Sequence, residues 1–97
     1  NTVISTGGGV VERKNNMTRL KKNSLIVYLK TKPEILAKRI DKNTNLPYLT
    51  KATNMKEDLE NLYNKRWPLY ERYADLIITT DKLNKEEVSK KIIAYLA

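Results

Sequence analysis

The sequence predicts an α/β fold built on a parallel sheet. Short β-branched or apolar runs alternate with stretches of helical period along the whole chain. The clearest run, Ser24–Leu29 (SLIVYL), is continuously apolar, as in a strand covered on both faces. Helix-start signals recur between the runs. Parallel neighbours then require crossover connections, which are right-handed.

The elements follow in order. Thr2-Val3-Ile4-Ser5-Thr6 reads as a first strand closed by Gly7-Gly8-Gly9, a permissive turn. A domain seldom begins inside a buried strand, so the chain is read as a fragment. Asn15 or Asn16 is expected to cap a short helix running to about Lys22, with Met17 and Leu20 buried and Asn23 as a left-handed stop. Ser24–Leu29 is the second strand. Thr31-Lys32-Pro33-Glu34 combines a capping box with proline in the first turn, and its helix runs to about Ile40.

Asp41 to Thr53 has neither period and is expected to be a lid or binding loop. Asn54 opens the longest helix, with Met55, Leu59, Leu62, Tyr63, Tyr70 and Tyr73 near one face. Pro68 should kink or split it near Arg66 and Trp67. Asp75–Thr80 (DLIITT) is the third strand and Asp81–Asn84 a turn. Asn84, with Glu87 at the capping-box position, starts a last helix whose face is Val88, Ile92 and Leu96.

Composition narrows the chemistry. The 97 residues contain no cysteine and no histidine, so disulfides, zinc sites of the nitrogen and sulfur kind, and histidine catalysis are excluded within them. No run is long and apolar enough to span a membrane, and no signal peptide pattern opens the chain. A cytoplasmic location is expected. The net charge of +8 has two readings. It either serves an anionic partner or is a solvated lysine-rich surface, since the lysines are spread and not blocked.

Candidate sites belong beyond the carboxyl ends of the strands. Gly7, Gly8 and Gly9 lie at one such end, where backbone can approach a ligand closely; a plain flexible turn is the other reading. Arg66, beside Trp67 and Pro68, suits bidentate recognition of carboxylate or phosphate, or else snorkels over the tryptophan. Arg39 ends a helix and either stacks on a ring or simply complements the helix terminus. Lys42 and Lys51 flank Leu46-Pro47-Tyr48-Leu49 in the long loop and are weak candidates for contacting a transferring phosphate. Asp75 and Asp81 mark strand boundaries, and no carboxylate pair has acid/base spacing.

Taken together, these segments resemble the shikimate kinase family. The resemblance is carried by Val3-Ile4-Ser5-Thr6-Gly7-Gly8-Gly9-Val10-Val11, by Val27-Tyr28-Leu29 with Pro33-Glu34 and Arg39, and by Pro47-Tyr48-Leu49. It continues through Arg66-Trp67-Pro68-Leu69-Tyr70, Ala74-Asp75 and Thr80-Asp81. The glycine triplet alone is weak evidence; joined to the Arg-x-Pro-Leu-Tyr segment and the Ala-Asp pair it is specific. The family implies a P-loop kinase fold, a three-layer α/β/α sandwich. It implies transfer of the ATP γ-phosphate to the 3-hydroxyl of shikimate with Mg²⁺, in aromatic amino-acid biosynthesis. On that basis Gly7, Gly8, Gly9 and Arg66 would meet shikimate, with Arg66 on its carboxylate. Arg39 would pack on adenine opposite the loop from Asp81 to Lys85, and residues 41–53 would be the lid.

Two positions depart from the family pattern. Leu46 stands where the lid usually carries an arginine, and arginines on a transferring phosphate can be worth about 10³–10⁵ in rate. Lys85 stands where a proline is common. The chain also contains no Gly-x-x-x-x-Gly-Lys-Ser/Thr loop, and the residues that would hold Mg²⁺ precede the glycine triplet in the family. The expected whole is therefore the C-terminal portion of one domain, inactive alone, with shikimate and ATP as partners in the complete protein. Nucleic acid is not an expected partner, since the tyrosines fall at helical spacing. The family's first strand lies between the strands matching Thr2–Thr6 and Ser24–Leu29. Without it, unpaired buried backbone groups would each cost about 1–3 kcal/mol. The chain alone is then expected to be unstable, rearranged or associated, with the missing half or with itself. A binding module without catalysis is the alternative.

Overall fold

The computed structural model describes residues 2–39 and 55–97, with the side chains of Met55 and Lys56 left aside. The expected lid, Ile40, Lys42, Leu46, Lys51 and the Asn54 cap lie outside the described residues. In order come a 3₁₀ turn (Gly8–Glu12), α1 (Lys14–Asn23), β1 (Val27–Lys30), α2 (Pro33–Arg39), α3 (Met55–Tyr73), β2 (Leu76–Thr79) and α4 (Lys85–Leu96). The α/β reading holds. β1 and β2 are parallel, in register from Val27 opposite Leu76 to Lys30 opposite Thr79. The connection between them contains α2 and α3, which pack together, while the 3₁₀ turn packs on α1 and α3.

Both ends of this sheet are tied by side chains. At the amino end the Asp75 carboxylate accepts from the Ile26 amide at 2.7 Å and from Lys21 Nζ at 3.4 Å. Lys21 Nζ also donates to the Tyr73 carbonyl at 2.9 Å. The Ile26 amide, and then Lys21, hold the Asp75 carboxyl below its ordinary range. Asp75 is thus a strand-boundary clamp. At the carboxyl end Thr31 and Thr80 are buried and share a hydrogen bond between their hydroxyls. The apolar core is small: Val11, Met17, Leu59 and Ile78 are its buried members among the described residues.

Several local expectations are corrected. Thr2–Thr6 forms no strand: Val3 is 96% exposed and Ile4 67%. β-branched residues suit a pleated, half-buried surface, but a strand needs a neighbour for its amides and carbonyls, and the described sheet joins β1 only to β2. α1 begins after Arg13 with no side-chain cap, so neither Asn15 nor Asn16 caps it; Asn16 Nδ2 instead donates to the Val10 carbonyl at 3.3 Å. Asn23 is helical, and no described non-glycine residue has positive φ, so the left-handed stop is absent. Met17 is buried as expected.

Thr31 does not close a capping box on α2, because the helix opens at Pro33 and Lys32 holds the cap position, while the Thr31 hydroxyl bonds that of Thr80. The first turn is instead begun by Lys32, whose carbonyl accepts from Ile35 and Leu36, both at 3.0 Å. Pro33 does open the helix. Pro68 does not split α3, which runs unbroken for 19 residues. Proline removes one amide and leaves the Asn64 carbonyl without its helical donor, but Asn64 and Pro68 are both exposed, where water can serve. α4 starts as predicted: Glu87 N donates to Asn84 Oδ1 at 2.8 Å and Asn84 N to Glu87 Oε1 at 3.2 Å. Its expected face is only partly covered, with Val88 and Ile92 half-buried and Leu96 exposed.

Candidate functional site

Helical spacing builds the first wall of the site. Leu59, Leu62, Tyr63, Arg66 and Tyr70 recur every three or four residues on α3, so they form one stripe. That stripe faces a cavity of about 320 Å³, closed elsewhere by Gly8, Tyr28, Thr31 and Leu36. Arg66 is therefore set among apolar and tyrosine side chains, and only 12% of its side chain is exposed.

The glycine turn comes to the same place. A Cβ on Gly8 would lie 2.8 Å from Tyr70 Oη and 3.2 Å from Arg66 Nη1, and one on Gly9 would lie 3.2 Å from Arg66 Nη2. No glycine has positive φ, so their value here is close approach and not a left-handed turn. Gly7 differs, because a Cβ there would meet nothing within 4 Å. Tyr70 Oη donates to the Gly8 carbonyl at 2.8 Å, which pins the turn to α3.

Two residues that the sequence does not single out complete this cluster. Glu12, at the end of the 3₁₀ turn, accepts from Arg66 Nε at 2.7 Å and lies 2.8 Å from Lys65 Nζ. Hydrogen bonds from Lys65 and then Arg66 hold its carboxyl below the ordinary glutamate range. Tyr28 on β1 stacks obliquely on Tyr70, with ring centroids 4.9 Å apart. Burial, then the nearby Tyr63, Glu71 and Tyr70, raises its phenol to about 12, so it stays a protonated donor at neutral pH. Nothing in local pattern marks Glu12, whose partners stand more than fifty positions away. Tyr70 carries a signal, since it follows Arg66 by one helical turn.

A second cluster lies where α2 and β2 both end. Arg39 Nη1 donates to Thr80 Oγ1 at 3.1 Å and Nη2 to the Thr80 carbonyl at 2.6 Å. Asp81 turns its carboxylate to the Lys32 amide at 3.0 Å. Lys85 is exposed in the first turn of α4. The structure thus sets Arg39 at the start of the loop from Asp81 to Lys85, while Asp81 itself serves the entry to α2. Thr31 joins the clusters, for it lines the cavity and bonds the threonine that Arg39 grips. Among the described residues no group of three or more acidic side chains is gathered as a metal site would need.

The sequence matches the shikimate kinase family over residues 1–97. A shikimate kinase of Thermodesulfovibrio yellowstonii is 46% identical over 91 residues, covering 94% of this chain and 51% of that protein. One from Dictyoglomus turgidum is 40% identical over 97 residues, covering 97% and 55% respectively. Shikimate kinase 1 of Escherichia coli is 38% identical over 94 residues, covering 97% and 54%. The chain spans about half the length of the curated relatives it matches.

Proposed function

The chain belongs to the shikimate kinase family, and from that premise we propose that it is the C-terminal portion of one kinase domain and supplies the acceptor and base sides of an ATP-dependent phosphotransferase. In the complete protein the acceptor is the 3-hydroxyl of shikimate and the donor the γ-phosphate of ATP, with Mg²⁺ held by residues outside this chain, in the cytoplasm. Arg66 takes the shikimate carboxylate as a charge-assisted pair. Gly8 and Gly9 admit the ligand beside it. Gly7, which meets no side chain, serves only as the approach to the turn. Arg39 covers one face of adenine, and the loop from Asp81 to Lys85 covers the other. Residues 41–53 form the lid. The chain's residues thus bind and orient, and phosphoryl transfer depends mainly on such positioning and on electrostatic stabilisation.

One observation carries this reading. The Arg66 guanidinium, 12% exposed, lies against two glycines where a Cβ would crowd it, at the edge of a cavity of about 320 Å³. A basic fork in a small, mostly apolar recess suits a small cyclic carboxylate better than a polyanion. Calorimetry of the chain with shikimate tests it. Binding that disappears in Arg66→Gln is the expected result; binding of equal strength in that variant, or none in the parent chain, would sink the proposal. Leu46 in place of the lid arginine favours a second reading, a ligand-binding module without transfer. Phosphorylation of shikimate by the complete protein, strengthened in Leu46→Arg, decides for the kinase.

A further inference from the structure

We propose that Glu12 is a positioning residue for carboxylate ligands: it holds the Arg66 guanidinium by its Nε–Nη2 edge and so directs the Nη1 side toward the glycine turn and the cavity. The inference rests on the reading above, that Arg66 meets a carboxylate. A guanidinium can present a carboxylate with the edge that contains Nε or with the end formed by its two terminal nitrogens. Glu12 Oε2 takes the first, at 2.7 Å from Nε and 2.6 Å from Nη2. Its other oxygen, Oε1, is 2.8 Å from Lys65 Nζ. Each carboxylate oxygen therefore has a cation, and the carboxylate cannot turn without losing one.

The terminal nitrogens face the glycines. Nη1 lies 3.2 Å from where a Gly8 Cβ would stand, and Nη2 the same distance from that of Gly9. A glutamate placed across the terminal pair would compete with an anionic ligand. Placed on the Nε edge, it fixes the fork instead, and ordering the fork before binding removes a cost that the ligand would otherwise bear. The charges agree with this, because Glu12 faces two cations, Lys65 and Arg66, and does not by itself cancel both. The neighbouring cations hold the Glu12 carboxyl below the ordinary glutamate range.

The test is nuclear magnetic resonance of the chain, following the Arg66 Nε–Hε signal while acetate, shikimate or shikimate methyl ester is added. Glu12→Gln should weaken shikimate by about tenfold, as losing an orienting neighbour does for metal ligands, and leave affinity for the uncharged ester unchanged. Lys65→Met should act in the same direction by a smaller factor. Equal weakening of acid and ester, unchanged affinity for the acid, or tighter binding in Glu12→Gln each overturns the proposal. If shikimate binds no better than acetate, the substrate assignment fails; the role of Glu12 then stands only if the acetate-induced shift vanishes in Glu12→Gln. A shift that survives in the variant, or no shift with either carboxylate in the parent, overturns it as well.

Discussion

Arg66 and Arg39 are both held against the ends of elements, but by different means. Arg66 is gripped by Glu12, a carboxylate at the protein surface, which Lys65 grips in turn. Arg39 is gripped by a backbone carbonyl and a buried hydroxyl of Thr80, neither of which titrates. One arginine is therefore set by charge and the other by the sheet itself. The first arrangement responds to pH and salt. The second responds only to whatever disturbs the strand ends.

The largest effect that would break this contrast comes from Thr80→Val. It removes a buried hydroxyl and strands the Thr31 hydroxyl, costing about 1–3 kcal/mol in urea unfolding. Arg39 should lose its Nη1 contact and be held by the residue-80 carbonyl alone, so its orientation loosens while the Arg66 signal is unchanged; loss of both signals would mean that the two clusters are not separately built. Next is Gly8→Ala. The new methyl group would stand 2.8 Å from Tyr70 Oη, which must move, and we expect about 1 kcal/mol of destabilisation, at the low end of overpacking costs. The hydrogen bond from Tyr70 to Gly8 should lengthen, which the hydroxyl-proton exchange rate would report.

Acid titration sharpens the contrast further. The folded-state values of Glu12 and Asp75 are below the ordinary 4.5 and 3.8. Their stabilising contribution is thus complete above those ordinary values and is lost as pH falls through the lowered ones. The Arg66 Nε–Hε signal should therefore persist at pH 5, on the order of the upper edge of that window, and broaden at lower pH. The signal of Arg39 should outlast it until the fold itself is lost. The smallest effect is that of salt. Raising ionic strength to about 1 M shortens the screening length to about 3 Å, which should loosen the exposed Lys65 contact measurably and leave the Thr80 contacts unaltered.

Legibility in the sequence followed the range of the interactions. The capping box of α4 involves residues three apart, and Asn84 with Glu87 was enough to predict it. The stripe on α3 and the two strands expected at Ser24–Leu29 and Asp75–Thr80 likewise follow from local pattern, with boundaries at Val27–Lys30 and Leu76–Thr79, while their pairing with each other is read only from the structure. Local signals misled where a distant partner intervened. Thr31 has the form of a helix cap, yet Thr80, 49 positions on, takes its hydroxyl. Thr2–Thr6 has the composition of a strand, yet composition supplies no neighbour to pair with. Of the site, Arg66 and the glycines were visible because their residue types are unusual for plain structure. Glu12 and Tyr28 were not, since a surface glutamate and a tyrosine within an apolar run look ordinary until folding sets them beside Arg66 and Tyr70.

The hydroxyl pair of Thr31 and Thr80 has one more consequence. Thr31 borders the cavity, and Thr80 carries Arg39, so one hydrogen bond links the two places. Any change in affinity that one occupant causes in the other must be returned in equal measure, because coupling free energy has no direction. Thr31→Val would then reduce that mutual factor toward one, whichever ligand is added first.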